Sequence, residues 1–119
     1  MKRIPEWAVF VAFLGVVALL PLIVEANDDD RGKALYQDKC GFCHGQRGDG
    51  KGPAAEPLAG HPVSFANSGF WKGDAEMKIE ETIKKGKEMM PAFDLETDEI
   101  KAIIRYMSEV FKKGTRNTQ

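Results

Sequence analysis

Cys40, Gly41, Phe42, Cys43 and His44 form a C-x-x-C-H pattern, and its two cysteines are the only ones in a chain of 119 residues. The pattern is the signature for covalent attachment of a c-type haem. Two thiols three positions apart can each add to one vinyl group of a porphyrin, and the histidine that follows can reach the iron from one face. No other thiol competes for them, so no disulfide framework organises the fold. Three other readings share the spacing. A thioredoxin-like dithiol needs a strand before it and a βαβ pattern around it, yet residues 31–39 read as helix and no β-rich run follows. A structural zinc site needs a second ligand pair at finger-like spacing, and only His61 is left to supply it. The third is chance occurrence of a five-residue pattern.

Length allows one domain and little more once the first segment is set aside. Residues 7–24 are apolar except for Gly15 and Pro21, and they follow Lys2 and Arg3. Such a run is an export signal or an anchor rather than core. The positive start, Pro21 near its end, and Val24 and Ala26 in an A-x-A-like arrangement favour cleavage after Ala26. Its length, close to the ~18 to 20 residues that span a bilayer, supports the anchor. We therefore expect residues 1–26 to be a signal peptide or N-terminal membrane anchor and residues 27–119 to be the working domain. That domain is expected in the periplasm, soluble after cleavage near Ala26; the alternative is anchorage to the inner membrane, facing the periplasm, through residues 4–24. In bacteria haem is attached to C-x-x-C-H on that side, so the two signals agree.

The formal charge of the chain is -1, without the basic excess that nucleic-acid binding requires. A domain of this size buries only about 60 to 65% of its unfolded surface and is marginal alone. Covalent haem would add apolar surface, so the haem-free chain is expected to fold poorly.

From residue 27 onward the pattern is helices and loops, an all-α reading. Asn27, Asp28, Asp29 and Asp30 can cap a helix and complement its dipole, and this first helix carries Ala34, Leu35 and Tyr36 up to Cys40. Residues 45–69, rich in Gly and Pro, read as an extended loop, a length tolerated when it wraps a ligand. Gly73 and Asp74 start a second helix over residues 75–85, with Met77, Ile79 and Ile83 as its apolar side and Gly86 as its stop. Thr97 is expected to cap the third. Asp98 and Glu99 stand in its first turn, Ile100, Ile103, Ile104, Met107, Val110 and Phe111 recur at helical spacing, and Lys112 and Lys113 close it before Gly114. Residues 114–119 read as a frayed tail.

The second iron ligand decides what such a haem can do, since an open position binds gases or peroxide and two strong ligands favour electron passage. Met77, Met89, Met90, Met107 and His61 are the candidates. Met77 and Met107 fall on apolar helix faces and read as core. Met89 and Met90 lie in the loop between the second and third helices, and Pro91 holds Met90 extended. His61, in the Pro-rich loop, reads as a solvated or propionate-side histidine.

These residues together resemble class I cytochrome c, and within it the small bacterial periplasmic monohaem cytochromes and the cytochrome c domains appended to oxidases. The likeness covers nearly all of residues 30–111. Gly32 and Tyr36 stand where the family carries a glycine and an aromatic before the first haem cysteine. Cys43-His44-Gly45, Gly48, Gly50, Gly52 and Pro53 match its spaced glycines and G-P. Pro62, Phe65, Phe70 and Trp71 resemble its P-x-x-F and F-W elements, and residues 86–93 its G-x-x-x-M-P-x-F ligand loop.

The resemblance implies three to four helices wrapped around one haem c per chain, bound through Cys40 and Cys43, with His44 and Met90 as metal ligands. It implies that Gly32 lets the terminal helices cross closely, with Tyr36 and Tyr106 in the contact, and that the Pro53 carbonyl accepts the other ring N–H of His44. Around the porphyrin we place Phe42, Phe65, Phe70, Trp71, Phe93 and Leu95, with ordinary core packing as an equal reading. The implied function is single-electron transfer between respiratory redox proteins, a donor and an acceptor, by a carrier that is not itself an enzyme. The alternatives are a fixed electron-transfer subunit of a membrane complex and a haem sensor or peroxidase with a displaceable Met90. Lys72, Lys78, Lys84, Lys85 and Lys87 are candidates for a partner-steering rim, but interleaved glutamates favour a solvated helix face.

Overall fold

The computed structural model describes residues 27–116 continuously, together with residues 1, 3, 4, 6 and 7. The expected export segment and its cleavage point near Ala26 lie, from residue 8 on, outside the described residues. Among those described, no helix is long and apolar enough to cross a membrane.

Helix α1 (Asp28–Lys39) begins at Asn27, whose side chain accepts the Asp29 N–H at 3.5 Å, and Asp28, Asp29 and Asp30 occupy its first turn. A four-residue helix α2 (Gly41–His44) follows after Cys40 and stops at Gly45, where φ is 80°. The long loop after it contains one 3₁₀ turn, Ser68–Trp71, capped by Asn67. Helix α3 (Ala75–Lys85) ends at Gly86, with φ of 72° and its N–H on the Thr82 carbonyl. Helix α4 (Thr97–Met107) runs into a π-helical turn, Ser108–Lys112, and then a final turn, α5 (Lys113–Arg116). The architecture is all-α as expected, with no strand among the described residues and one isolated bridge between Lys87 and Met90.

Helices α1 and α4 form the main packing contact. Gly32 permits it, since a Cβ there would sit 2.2 Å from the Ala102 carbonyl oxygen. Tyr36 is fully buried at the crossing and its ring lies 5.5 Å from that of Tyr106. Arg31 pairs with Asp98 at 2.7 Å and Arg105 with Asp28 at 2.6 Å. These exposed pairs fix the crossing in register more than they stabilise it. Tyr36, Ile100 and Ile103 form the centre of the core, which continues through Ile79, Ile83, Ile104 and Met107 to Phe65, Trp71 and Phe111.

Four details differ from expectation. Met77 is 64% exposed: α3 buries Ala75, Ile79 and Ile83, and Met77 stands about 200° around the helix from Ala75. Glu96 rather than Thr97 caps α4, because the Glu99 carboxylate reaches back to the Glu96 N–H at 3.0 Å. Val110 is 46% exposed while Phe111 is buried as expected, since the π-helical turn widens the helix by a residue and carries Val110 off the inward face. Residues 113–116 are helical rather than frayed.

Candidate cofactor site

Cys40, Cys43 and His44 stand at positions i, i+3 and i+4 of a single helical turn, the spacing that brings side chains to one face. The turn is closed by the Cys43 and His44 amides, which donate to the Cys40 carbonyl at 3.2 and 2.9 Å. Its outgoing carbonyls are met by the loop that follows. Gly50 N donates to His44 O at 2.8 Å, Gly52 N to Cys43 O at 3.1 Å, and Ala54 N to Phe42 O at 3.0 Å. Helix ends leave such carbonyls without partners, and here the glycine-rich loop supplies them. Gly52 has to be glycine for this, because a Cβ would lie 2.3 Å from the Phe42 oxygen.

Both thiols are free and half-buried. Burial, with Cys43 beside it, pushes the Cys40 thiol up to about 11. A redox-active dithiol works through a thiolate of depressed pKa, so this environment disfavours the thioredoxin-like alternative. Burial also lowers the His44 pKa, partly offset by the Val63 carbonyl. The imidazole is thereby held neutral, with a lone pair available to a metal.

His44 Nδ1 lies 3.4 Å from Val63 O, and the ring stacks on Phe65 at 4.7 Å with an interplanar angle of 24°. With its proton on Nδ1, facing Val63, the ring would leave Nε2 free to bind a metal. This corrects the expectation for Pro53: the carbonyl at the ring is that of Val63. Two contacts draw residues 62–65 there. Phe65 N donates to Gly48 O at 2.6 Å, and Gly50 passes so close to Pro62 O that a Cβ would stand 2.4 Å away. Pro53 meanwhile is exposed, in the turn that folds back over α2.

Met90 is half-buried and packs on the same core as Cys40, whereas Met89 is 59% exposed. The loop is pinned by Phe93 N, which donates to Ile83 O at 2.8 Å. Phe65 and Trp71 are buried, with Trp71 Nε1 donating to Phe65 O at 2.7 Å. Phe70, Phe93 and Leu95 are half-buried against them. Phe42 is 63% exposed, so the core-packing reading does not hold for it. His61 is exposed. Lys78, Lys84 and Lys85 each pair four residues back with Asp74, Glu80 and Glu81, as a solvated helix face does.

Val63 and Phe111 belong to this site and were not singled out for it. Val63 acts through its backbone, which leaves no side-chain signature. Phe111 closes on Gly48, where a Cβ would be 3.0 Å from its ring, and only its helical periodicity marked it as inward. Among the described residues no group of three or more His, Cys, Asp or Glu is placed to hold a metal ion, so a zinc site finds no ligand set there. The donors fit a c-type haem instead: two thiols and a neutral imidazole on one turn, beside apolar walls and a thioether loop on the same core.

The family model described as cytochrome C oxidase, cbb3-type, subunit III matches residues 27–107. No curated protein and no solved structure matches the chain.

Proposed function

The chain belongs to the cytochrome C oxidase, cbb3-type, subunit III family, and we propose that it is a monohaem electron carrier serving respiratory redox partners outside the cytoplasmic membrane. The observation that carries this reading is the turn on which Cys40, Cys43 and a neutral His44 share one face. The haem supplies an iron that cycles between two oxidation states one electron apart. Cys40 and Cys43 would tether it by thioether bonds, one haem to the chain. His44 Nε2 would be one iron ligand, with the ring oriented by Val63 and Phe65. Met90 would be the second ligand, favoured over Met89 by its place against the core. Phe65, Trp71 and Phe93 exclude water and keep the surroundings of low polarity. Held by the same two residues in both oxidation states, the group would need little movement on gaining or losing an electron, which suits the chain to electron carriage.

The test is spectroscopic. Oxidised holoprotein should show a thioether-to-iron charge-transfer band, and Met90→Ala should abolish it while haem stays attached. Ready binding of carbon monoxide by the reduced wild-type protein at neutral pH would favour the sensor or peroxidase reading instead. The family description, a subunit of an oxidase, gives specific support to a second version. In it the apolar residues 4–24 stay on the chain and fix it in a membrane complex as its electron-transfer subunit. Fractionation separates the two. Haem protein released with the soluble periplasm and starting at Asn27 indicates the diffusible carrier; haem protein retained with the membrane indicates the subunit.

A further inference from the structure

Glu88 is the one residue other than glycine with a positive φ among the described residues, at 53°. It occupies the middle of a closed turn, in which Lys87 N donates to Met90 O at 3.0 Å and Met90 N to Lys87 O at 2.9 Å. Beneath it Gly86 stands at φ of 72°, where a Cβ would come within 2.8 Å of Met90 O and 2.9 Å of Ala92 N. The turn is therefore fixed on both sides, and Pro91 restricts Met90 from the other end. The left-handed conformation is unfavourable for any residue with a Cβ, while glycine adopts it freely and asparagine tolerates it. The Glu88 side chain is exposed and makes no hydrogen bond or ion pair among the described residues that would offset this.

We propose that Glu88 is the positioning residue of the Met90 loop: its strained backbone loads the turn and makes the Met90 thioether easier to displace from the iron. This rests on Met90 being the ligand. The Met90 backbone closes the strained turn and also carries the thioether, so movement of Met90 away from the iron lets the turn relax, and the strain biases the loop toward the open form. The residue type at position 88 then sets how readily a small external ligand enters, without any contact between Glu88 and the haem.

The experiment titrates oxidised holoprotein with imidazole and follows loss of the thioether-to-iron band, beside urea unfolding of the same samples. Glu88→Gly and Glu88→Asn should each bind imidazole roughly fivefold more weakly than wild type, the factor that relief of one left-handed residue predicts. Asparagine keeps a side chain, so agreement between the two excludes a mere gain in loop freedom. Glu88→Val should bind imidazole more tightly. Glu88→Gln, equally strained and uncharged, should match wild type; a shift as large as that of Glu88→Gly would make charge the cause and overturn the proposal. Unchanged imidazole affinity in Glu88→Gly and Glu88→Asn, whatever their unfolding midpoints, also overturns it. Met90→Ala distinguishes the two levels. If it retains the band, Met90 is not the ligand and both readings fail; if it loses the band while the Glu88 variants titrate as wild type, only this one fails.

Discussion

Tyr36 donates its hydroxyl to the Gly45 carbonyl at 2.9 Å from a fully buried position. It thereby ties α1 to the residue that follows His44. The same carbonyl also accepts Gly48 N at 3.0 Å, so Tyr36→Phe leaves it one partner. The expected loss is about 1 kcal/mol of stability, measured by urea unfolding of holoprotein. His44 makes a second residue-scale prediction, for the haem-free chain. Its pKa is lowered in the fold, so the unfolded chain binds the proton first, and stability must fall as pH drops through the ordinary histidine value of 6.5. The loss should level off below the depressed folded value. Urea midpoints of the haem-free chain against pH should show this slope, and His44→Gln should flatten it. The grouping of His44 and both thiols on one turn was legible because their chemistry lives in side chains at fixed spacing. The carbonyl that orients the imidazole was not, since Pro53 and Val63 offer the same backbone group and only the path of residues 48–65 decides between them.

At the scale of elements, α1 and α4 cross over a glycine, and the glycine decides how close they come. Gly32→Ala would drive a methyl group into the Ala102 carbonyl, a backbone atom with no rotamer to change. Separation of the two helices should cost roughly 1–3 kcal/mol, visible as a lower unfolding midpoint with the haem spectrum kept. On α3 the contrast between Met77 and Ile79 tests the face the helix buries. Met77→Ser should change stability by less than about 0.5 kcal/mol, whereas Ile79→Ala should cost about 2–5 kcal/mol. The bounds of α3 were legible because Asp74 and Gly86 punctuate it chemically. Its inward face was less so, because Met77, Ile79 and Ile83 all look apolar and only the four-residue spacing from Ala75 excludes the methionine. Val110 escaped for a different reason: a π-helical turn changes the period in the middle of a helix, and no residue type in Ser108–Lys112 announces it.

Residues 27–116 form a small all-α domain whose core reaches the candidate cofactor site through Phe65, Trp71 and Phe111. Replacing both cysteines by alanine should yield a haem-free chain with a lower thermal midpoint and reduced helical signal by far-ultraviolet circular dichroism, because a domain of this size has little apolar surplus. A fully native midpoint would show that the core alone suffices. The all-α class was readable from residues 28–112 because helix caps and periodicity agree there; the way the long loop returns to α2 was not, because it is written in backbone amides.

The α1–α4 crossing also has a consequence in time. Its ion pairs join residues 67 and 77 positions apart, so the crossing cannot form until nearly the whole domain has been made, whereas the thiols and His44 lie within five consecutive residues. A chain that emerges from its amino end therefore completes the turn that carries Cys40, Cys43 and His44 well before α4 arrives to pack on α1. Closure of the crossing comes late, because both of its ion pairs wait for α4.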